Sequence, residues 1–204
     1  MEKERNIQIR GDTENQDNEF ATARVLFDKQ RYGEALTIYL RLAETQRGSS
    51  IYNRIAWMYE FGKGTERNSR EAERWYERAA NAGIAAGYYC LASMHLRKGK
   101  DADVRELMEH AAAQRYSPAL FHLATMYRFG QGVPVDLVKA YEYCEQAAAQ
   151  GHIFAQRQIA QRYIRGEFGI WGVAKGYIMV AKIMWTGFKL KLKDPANERL
   201  RRIA

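Results

Sequence analysis

Apolar side chains along this chain recur at steps of three and four residues, and no stretch alternates apolar with polar at a period of two. Helices are therefore expected throughout and strands nowhere. From Ser50, a first helix carries Tyr52, Ile55, Ala56 and Tyr59 on one stripe. The Gly62-x-Gly64 pair ends it, because glycine takes the left-handed conformation that closes a helix. Asn68 or Ser69 can cap a second helix bearing Ala72, Trp75, Tyr76, Ala79 and Ala80, and Gly83 closes the unit.

The same pattern returns 68 positions later. Met58, Tyr59, Phe61, Gly62 and Gly64 match Met126, Tyr127, Phe129, Gly130 and Gly132. At that offset Ala56, Ala72, Ala79, Ala80 and Gly83 match Ala124, Ala140, Ala147, Ala148 and Gly151. A shorter copy lies between them, with Leu91-Ala92 for Ile55-Ala56 and His95 for the tyrosine. A fourth begins at Ile159-Ala160, with Tyr163 and Gly166 in place. The spacings of 36, 32 and 36 residues each equal one helical hairpin. The recurring alanines are small residues where helix axes approach most closely.

Phe20 to Gln46 supplies a further pair, with Arg31-Tyr32-Gly33-Glu34-Ala35-Leu36 as its turn and second-helix start. Residues 1–18 are polar and expected to be a flexible tail. Ile170 to about Leu192 is expected as one long helix, interrupted by Asp194-Pro195-Ala196 before a basic end over 193–204. The helical repeat domain thus covers 19–192, with units near 20–48, 50–83, 84–116, 117–151 and 152–192.

Ala119, Leu123, Tyr127, Gly130, Gly132, Lys139-Ala140, Tyr143, Ala147-Ala148 and Gly151 together resemble the Sel-1-like repeat, a relative of the tetratricopeptide repeat. Ile51–Gly83 matches nearly as well, whereas Phe20–Gln46 looks more like an ordinary tetratricopeptide unit. The 84–116 unit lacks the Gly-x-Gly loop, and the last unit has Phe168 for the second glycine and Gly176 for the helical alanine. The resemblance implies an all-α, right-handed α-solenoid of about five antiparallel hairpins with a long C-terminal capping helix. It implies a non-catalytic scaffold or adaptor for other proteins; from the residues themselves, no cofactor or metal is expected. Secreted members of that family staple one hairpin with two cysteines, a spacing that Cys90 and Cys144 do not have.

Composition narrows the class. With 47% apolar and 27% charged residues the chain is globular rather than disordered or a transmembrane bundle. Two cysteines make no disulfide framework, and Met1-Glu2-Lys3-Glu4-Arg5 leads into no apolar run, so a cytoplasmic protein is expected. The net charge of +8 is segregated: residues 155–204 carry 11 Lys/Arg against Glu167, Asp194 and Glu198, and the remainder is neutral. Such a face serves solubility or faces an anionic partner. No histidine or cysteine falls in a metal-ligand spacing, and the Gly-x-Gly loops lack the strand and the Gly-Lys-Ser/Thr of a phosphate cradle. No nucleophile, base and oxyanion donor assemble. His95 and His122 read as packing histidines, and both cysteines as small buried residues.

Function is then expected on a surface. In a superhelix of hairpins the first helices line the concave side, and the positions between packing residues point inward. These are Asn53, Trp57 and Glu60; Tyr89, Ser93 and Arg97; Phe121, Thr125 and Arg128; Arg157, Gln161 and Arg165. The aromatics are either interhelical packing or, with the arginines, an interaction hot spot. The expected partner is another protein presenting an acidic or amphipathic segment. Nucleic acid is the lesser expectation, since only basicity near Tyr177, Trp185 and Phe188 speaks for it.

The last helix carries two stripes. Lys175, Lys182 and Lys189 are spaced by seven, beside the apolar Trp171, Ala174, Ile178, Ala181, Trp185 and Phe188. Uncharged runs between the lysines are far below the ~20 residues a bilayer span needs. Either the aromatic side is buried on the last hairpin as a cap, or it also docks a partner or an anionic membrane, ringed by Lys189, Lys191, Lys193, Arg199, Arg201 and Arg202.

Overall fold

The structure, a computed structural model, describes residues 2–45, 51–99 and 103–193, with side chains described over 15–45, 51–99 and 103–189. Ten helices fill the described residues, without a strand: α1 Glu2–Asp28, α2 Tyr32–Ala43, α3 Tyr52–Phe61, α4 Ser69–Asn81, α5 Ala85–Arg97, α6 Val104–Ala113, α7 Ser117–Phe129, α8 Leu137–Ala149, α9 Ile153–Ile164 and α10 Gly169–Lys193. The tail expected at 1–18 is instead helical backbone from Glu2. Gly11 is the lone breaker there and no proline interrupts it. The chain divides into two compact units, Met1–Ala111 and Ala112–Ala204, with the boundary at the end of α6.

The first unit is built around Tyr39, Ile51, Ile55, Met58 and Met108, all fully buried. Each such aliphatic side chain contributes about 2 kcal/mol by leaving water. In the second unit Leu120 and Leu123 are fully buried, and Ala155, Ile159 and Ala160 are buried as well.

Sequence identity at the 68-residue offset becomes identity of hydrogen bonding. Gly62 and Gly130 end α3 and α7 in the left-handed conformation, φ 63° and 70°. Lys63 N–H donates to Met58 C=O at 2.8 Å, and Gln131 N–H to Met126 C=O at 3.0 Å. Asn68 N–H reaches Tyr59 C=O, and Asp136 N–H reaches Tyr127 C=O, both at 2.9 Å. The same two residues then cap the next helix. Asn68 Oδ1 accepts from Arg70 and Glu71 N–H at 3.1 Å each, and Asp136 Oδ1 accepts from Lys139 N–H at 2.9 Å. Of the two candidate caps for α4, Asn68 is the one used.

The α9–α10 hairpin departs from expectation. α10 packs on α9 at Gly172 and Gly176, not through its aromatic stripe. A Cβ at Gly176 would lie 2.9 Å from Ile164 N and 2.9 Å from Tyr163 Cβ. Glycine stands where earlier units have alanine because two backbones meet there. Trp171, Ile178, Trp185 and Phe188 are consequently exposed, Trp171 to 87%. Burial of that side as a cap is therefore corrected: the closest approach of the two helices falls on the glycine row, and the bulky row lies opposite it.

Candidate functional site: a basic cleft in the second unit

The expected groove positions divide between the two units. In the first, Trp57 takes the packing role: its ring lies 5.5 Å from Phe27, 6.3 Å from Tyr32 and 5.4 Å from Phe61, against the buried core. Glu60 is 14% exposed and accepts from the Tyr76 hydroxyl at 2.9 Å. It also forms an ion pair with Arg97, so these two expected groove residues are each other's partners. Burial, followed by the charges of Cys90 and Glu60, holds the Tyr76 phenol far above its usual range, and it stays a donor. The Cys90 thiol is pushed up to about 11, first by burial. Asn53 Oδ1 is buried without a hydrogen-bond partner, and Tyr89 is half-buried, its carbonyl accepting from Ser93 Oγ at 2.8 Å. In the first unit, the expected positions mostly hold the fold together.

In the second unit, Phe121 also packs, stacking on His152 with centroids 4.4 Å apart. Thr125, Arg128, Gln161 and Arg165, however, converge on a cleft of about 490 Å³ between α7, α8 and α9. Arg157 is exposed on α9 outside it. Four cleft residues that the groove positions did not include are Arg162, Tyr141 and the lip formed by Leu137 and Val138. The lip belongs to a second helix, α8, and counting along first helices passes over it. Leu137 and Val138 are 66% and 70% exposed, an apolar edge directly beside arginines.

Charge in the cleft is unbalanced. The Arg162 guanidinium lies 3.7 Å from the centroid of the Tyr141 ring and its Nε pairs with Glu167. Arg128 and Arg165 are exposed, and neither has a carboxylate partner among the described residues. Tyr141 is raised to about 12, by burial first and then by Glu145, and so remains protonated. Burial also pushes the Cys144 thiol up, against the opposing pull of Arg128 and Arg162. Its Sγ sits 3.5 Å from Gln158 Oε1. A protonated thiol and a protonated phenol are not nucleophiles at neutral pH. Among the described residues no His, Cys, Asp and Glu side chains gather as a metal site. The cleft offers two guanidinium groups without a carboxylate partner among the described residues, one of them, Arg128, 5.4 Å from the Phe129 ring centroid, beside an apolar lip and the Tyr141 ring.

A second cleft of about 400 Å³ lies between Ala148 and Ala149 of α8, Gln156 of α9, and Met179, Lys182 and Ile183 of α10. Lys175 Nζ donates to the Tyr163 hydroxyl at 3.2 Å, and Lys189 Nζ lies 5.6 Å from the Trp185 ring. The side chains of Lys191 and Lys193, and Arg199, Arg201 and Arg202 altogether, lie outside the described residues.

His152 ties the second unit to pH. Its Nδ1 accepts from Ala155 N–H at 3.3 Å as the N-cap of α9. Burial holds its pKa below the usual 6.5, and burial does the same to His122. The unfolded chain then binds the proton more readily, so stability is complete above about pH 6.5 and falls as pH drops through that value toward the lower folded pKa. Thermal melting at about pH 7.5 and about pH 5.5 should show a lower midpoint in acid. His152→Asn keeps a capping oxygen without the titration and should narrow the difference. Equal midpoints for the unaltered chain would refute the linkage.

Comparison with known proteins follows the same outline. The Sel1 repeat matches residues 52–84 and 117–152, one repeat in each unit. An uncharacterized protein of Neisseria meningitidis serogroup B is 35% identical over 98 residues, 47% of this chain and 21% of that protein. This chain thus spans about a fifth of that relative's length. A Sel1 repeat protein from Oxalobacter formigenes superposes with a TM-score of 0.66 at 26% identity, over 80% of this chain and 69% of the other. A protective antigen of uropathogenic Escherichia coli strains, displaying an SLR fold, gives 0.62 at 28% identity, over 74% and 34%.

Proposed function

Because this chain carries Sel1 repeats in both of its units, we propose that it is a non-catalytic scaffold that binds another protein, with the α7–α9 cleft as its docking site. Repeats of this fold generally mediate protein–protein interaction and are typically non-catalytic. The observation that carries the choice of cleft is the pair Arg128 and Arg165, exposed beside an apolar lip without a carboxylate of their own. Arginine with desolvated apolar neighbours is the composition of a binding hot spot. The fitting ligand is an acidic segment with apolar side chains, its carboxylates on Arg128 and Arg165 and its apolar groups against Leu137, Val138 and Tyr141. Arg97 is left out of this surface, since Glu60 already neutralises it.

The test begins with a photo-crosslinking residue at Val138, with one at Arg157 as the control outside the cleft. The protein captured at Val138 alone is then titrated against Arg128→Glu/Arg165→Glu. Reversal of two interfacial charges should weaken binding about a hundredfold and flatten its salt dependence. Unchanged affinity removes the cleft from the interface.

A further inference from the structure

The outer face of α10 is unlike any other surface among the described residues. Trp171, Tyr177, Ile178, Met184, Trp185 and Phe188 are all exposed, each more than half. At roughly 100° per residue they cover a strip of about 140° of the helix circumference. Lys175, Lys182 and Lys189 form one row along its edge, a turn or less from the tryptophans. No acidic residue occurs between Glu167 and Asp194. The opposite face, with Gly172 and Gly176, is already occupied by α9.

We infer that this face lies on an anionic lipid surface, with α10 in the plane of the interface and its lysines on the phosphates. Three observations select a lipid surface over other occupants. The strip is wider than the two-row seam that one partner helix covers. It is rich in tryptophan and tyrosine, whose rings place an apolar body in the acyl boundary and a polar tip among headgroups. A second copy of the chain is the poorer fit. An antiparallel copy sets one lysine row against the other, and a parallel copy sets the lysines against Ile170, Tyr177 and Met184, so neither supplies a counter-charge. A sheet of anionic headgroups supplies it along the whole row. Among the described residues no helix is long and apolar enough to cross a membrane, so the contact is with the surface. This inference is independent of the cleft and leaves Arg128 and Arg165 free.

Co-sedimentation of the full chain with vesicles decides it. One set is phosphatidylcholine alone, the other phosphatidylcholine with phosphatidylglycerol. The chain should pellet with the anionic set, and added salt should release it. Lys175→Gln/Lys182→Gln/Lys189→Gln should partition about a hundredfold less. Trp171→Ser/Trp185→Ser/Phe188→Ser should stay in the supernatant. All six side chains are exposed, and unchanged far-ultraviolet circular dichroism confirms that each variant is folded. Absence of pelleting at low salt overturns the inference, as does pelleting that neither variant reduces. A dimer by sedimentation velocity that the serine variant dissociates, without vesicle binding, assigns the face to a second copy and overturns it equally.

Discussion

Gly64→Ala should destabilise the first unit by about 3 kcal/mol or more, whereas Gly132→Ala, at the same place in the repeated motif, should cost about 1 kcal/mol. Both glycines have positive φ, 75° and 71°, so each substitution carries the left-handed penalty. They differ in what a Cβ would meet. At Gly132 the nearest atom is Met126 Cε at 3.8 Å, an ordinary contact with a flexible side chain. At Gly64 the new methyl would collide with the backbone of Tyr32 and Gly33, lying 2.7 Å from the Tyr32 carbonyl oxygen. Backbone at the start of α2 yields only if the whole α1–α2 pair moves. Trp57 and Trp75 sit in the first unit and report its unfolding by fluorescence in denaturant. Comparable losses at the two glycines would mean that motif position, not the α2 contact, sets the cost.

Gly176→Val should loosen α10 from α9 at a cost of about 3 kcal/mol, since the added side chain enters a contact already closed by Ile164 and Tyr163. The loss falls on a helix whose remaining surface is mostly exposed, so little else holds it. Amide hydrogen exchange should rise along α10 and stay unchanged in α7. Gly187→Ala is the matched control in the same helix, because no atom lies within 4 Å of its would-be Cβ. It should be neutral or slightly stabilising through better helix propensity. Equal exchange in the two variants would refute the close approach as the attachment of α10.

The repeat architecture was legible because its signals are local. Gly62, Gly130, Asn68 and Asp136 act on backbone groups within a few residues, and the alanine and tyrosine stripes need only helical periodicity to be read. Glu60 and Arg97 are 37 positions apart, and their ion pair appears in no local pattern. The same holds for Trp57, whose ring is held by Phe27 and Tyr32 of an earlier hairpin. Read along the chain, each was a groove residue; folded, Trp57 and Glu60 are tied into the packing of the first unit, and Arg97, itself largely exposed, is paired with Glu60. The cleft was half legible. Arg128, Gln161 and Arg165 follow from helix phase, but Leu137, Val138 and Tyr141 come from a second helix that only the meeting of α7, α8 and α9 brings alongside.

The C-terminal helix shows where the division falls. Sequence alone determined that α10 is a helix, that it bears a tryptophan-rich stripe, and that its lysines form a row, because each is a matter of 3.6-residue phase. Which of its faces would be buried was open, since the aromatic stripe is the more hydrophobic and the natural one to bury. Tertiary structure decided for the glycine face. Two helix axes come nearest where side chains are smallest, and Gly172 and Gly176 let the α10 backbone reach Ile164 and Tyr163 in a way that Trp171 or Trp185 would hold off by the breadth of an indole ring.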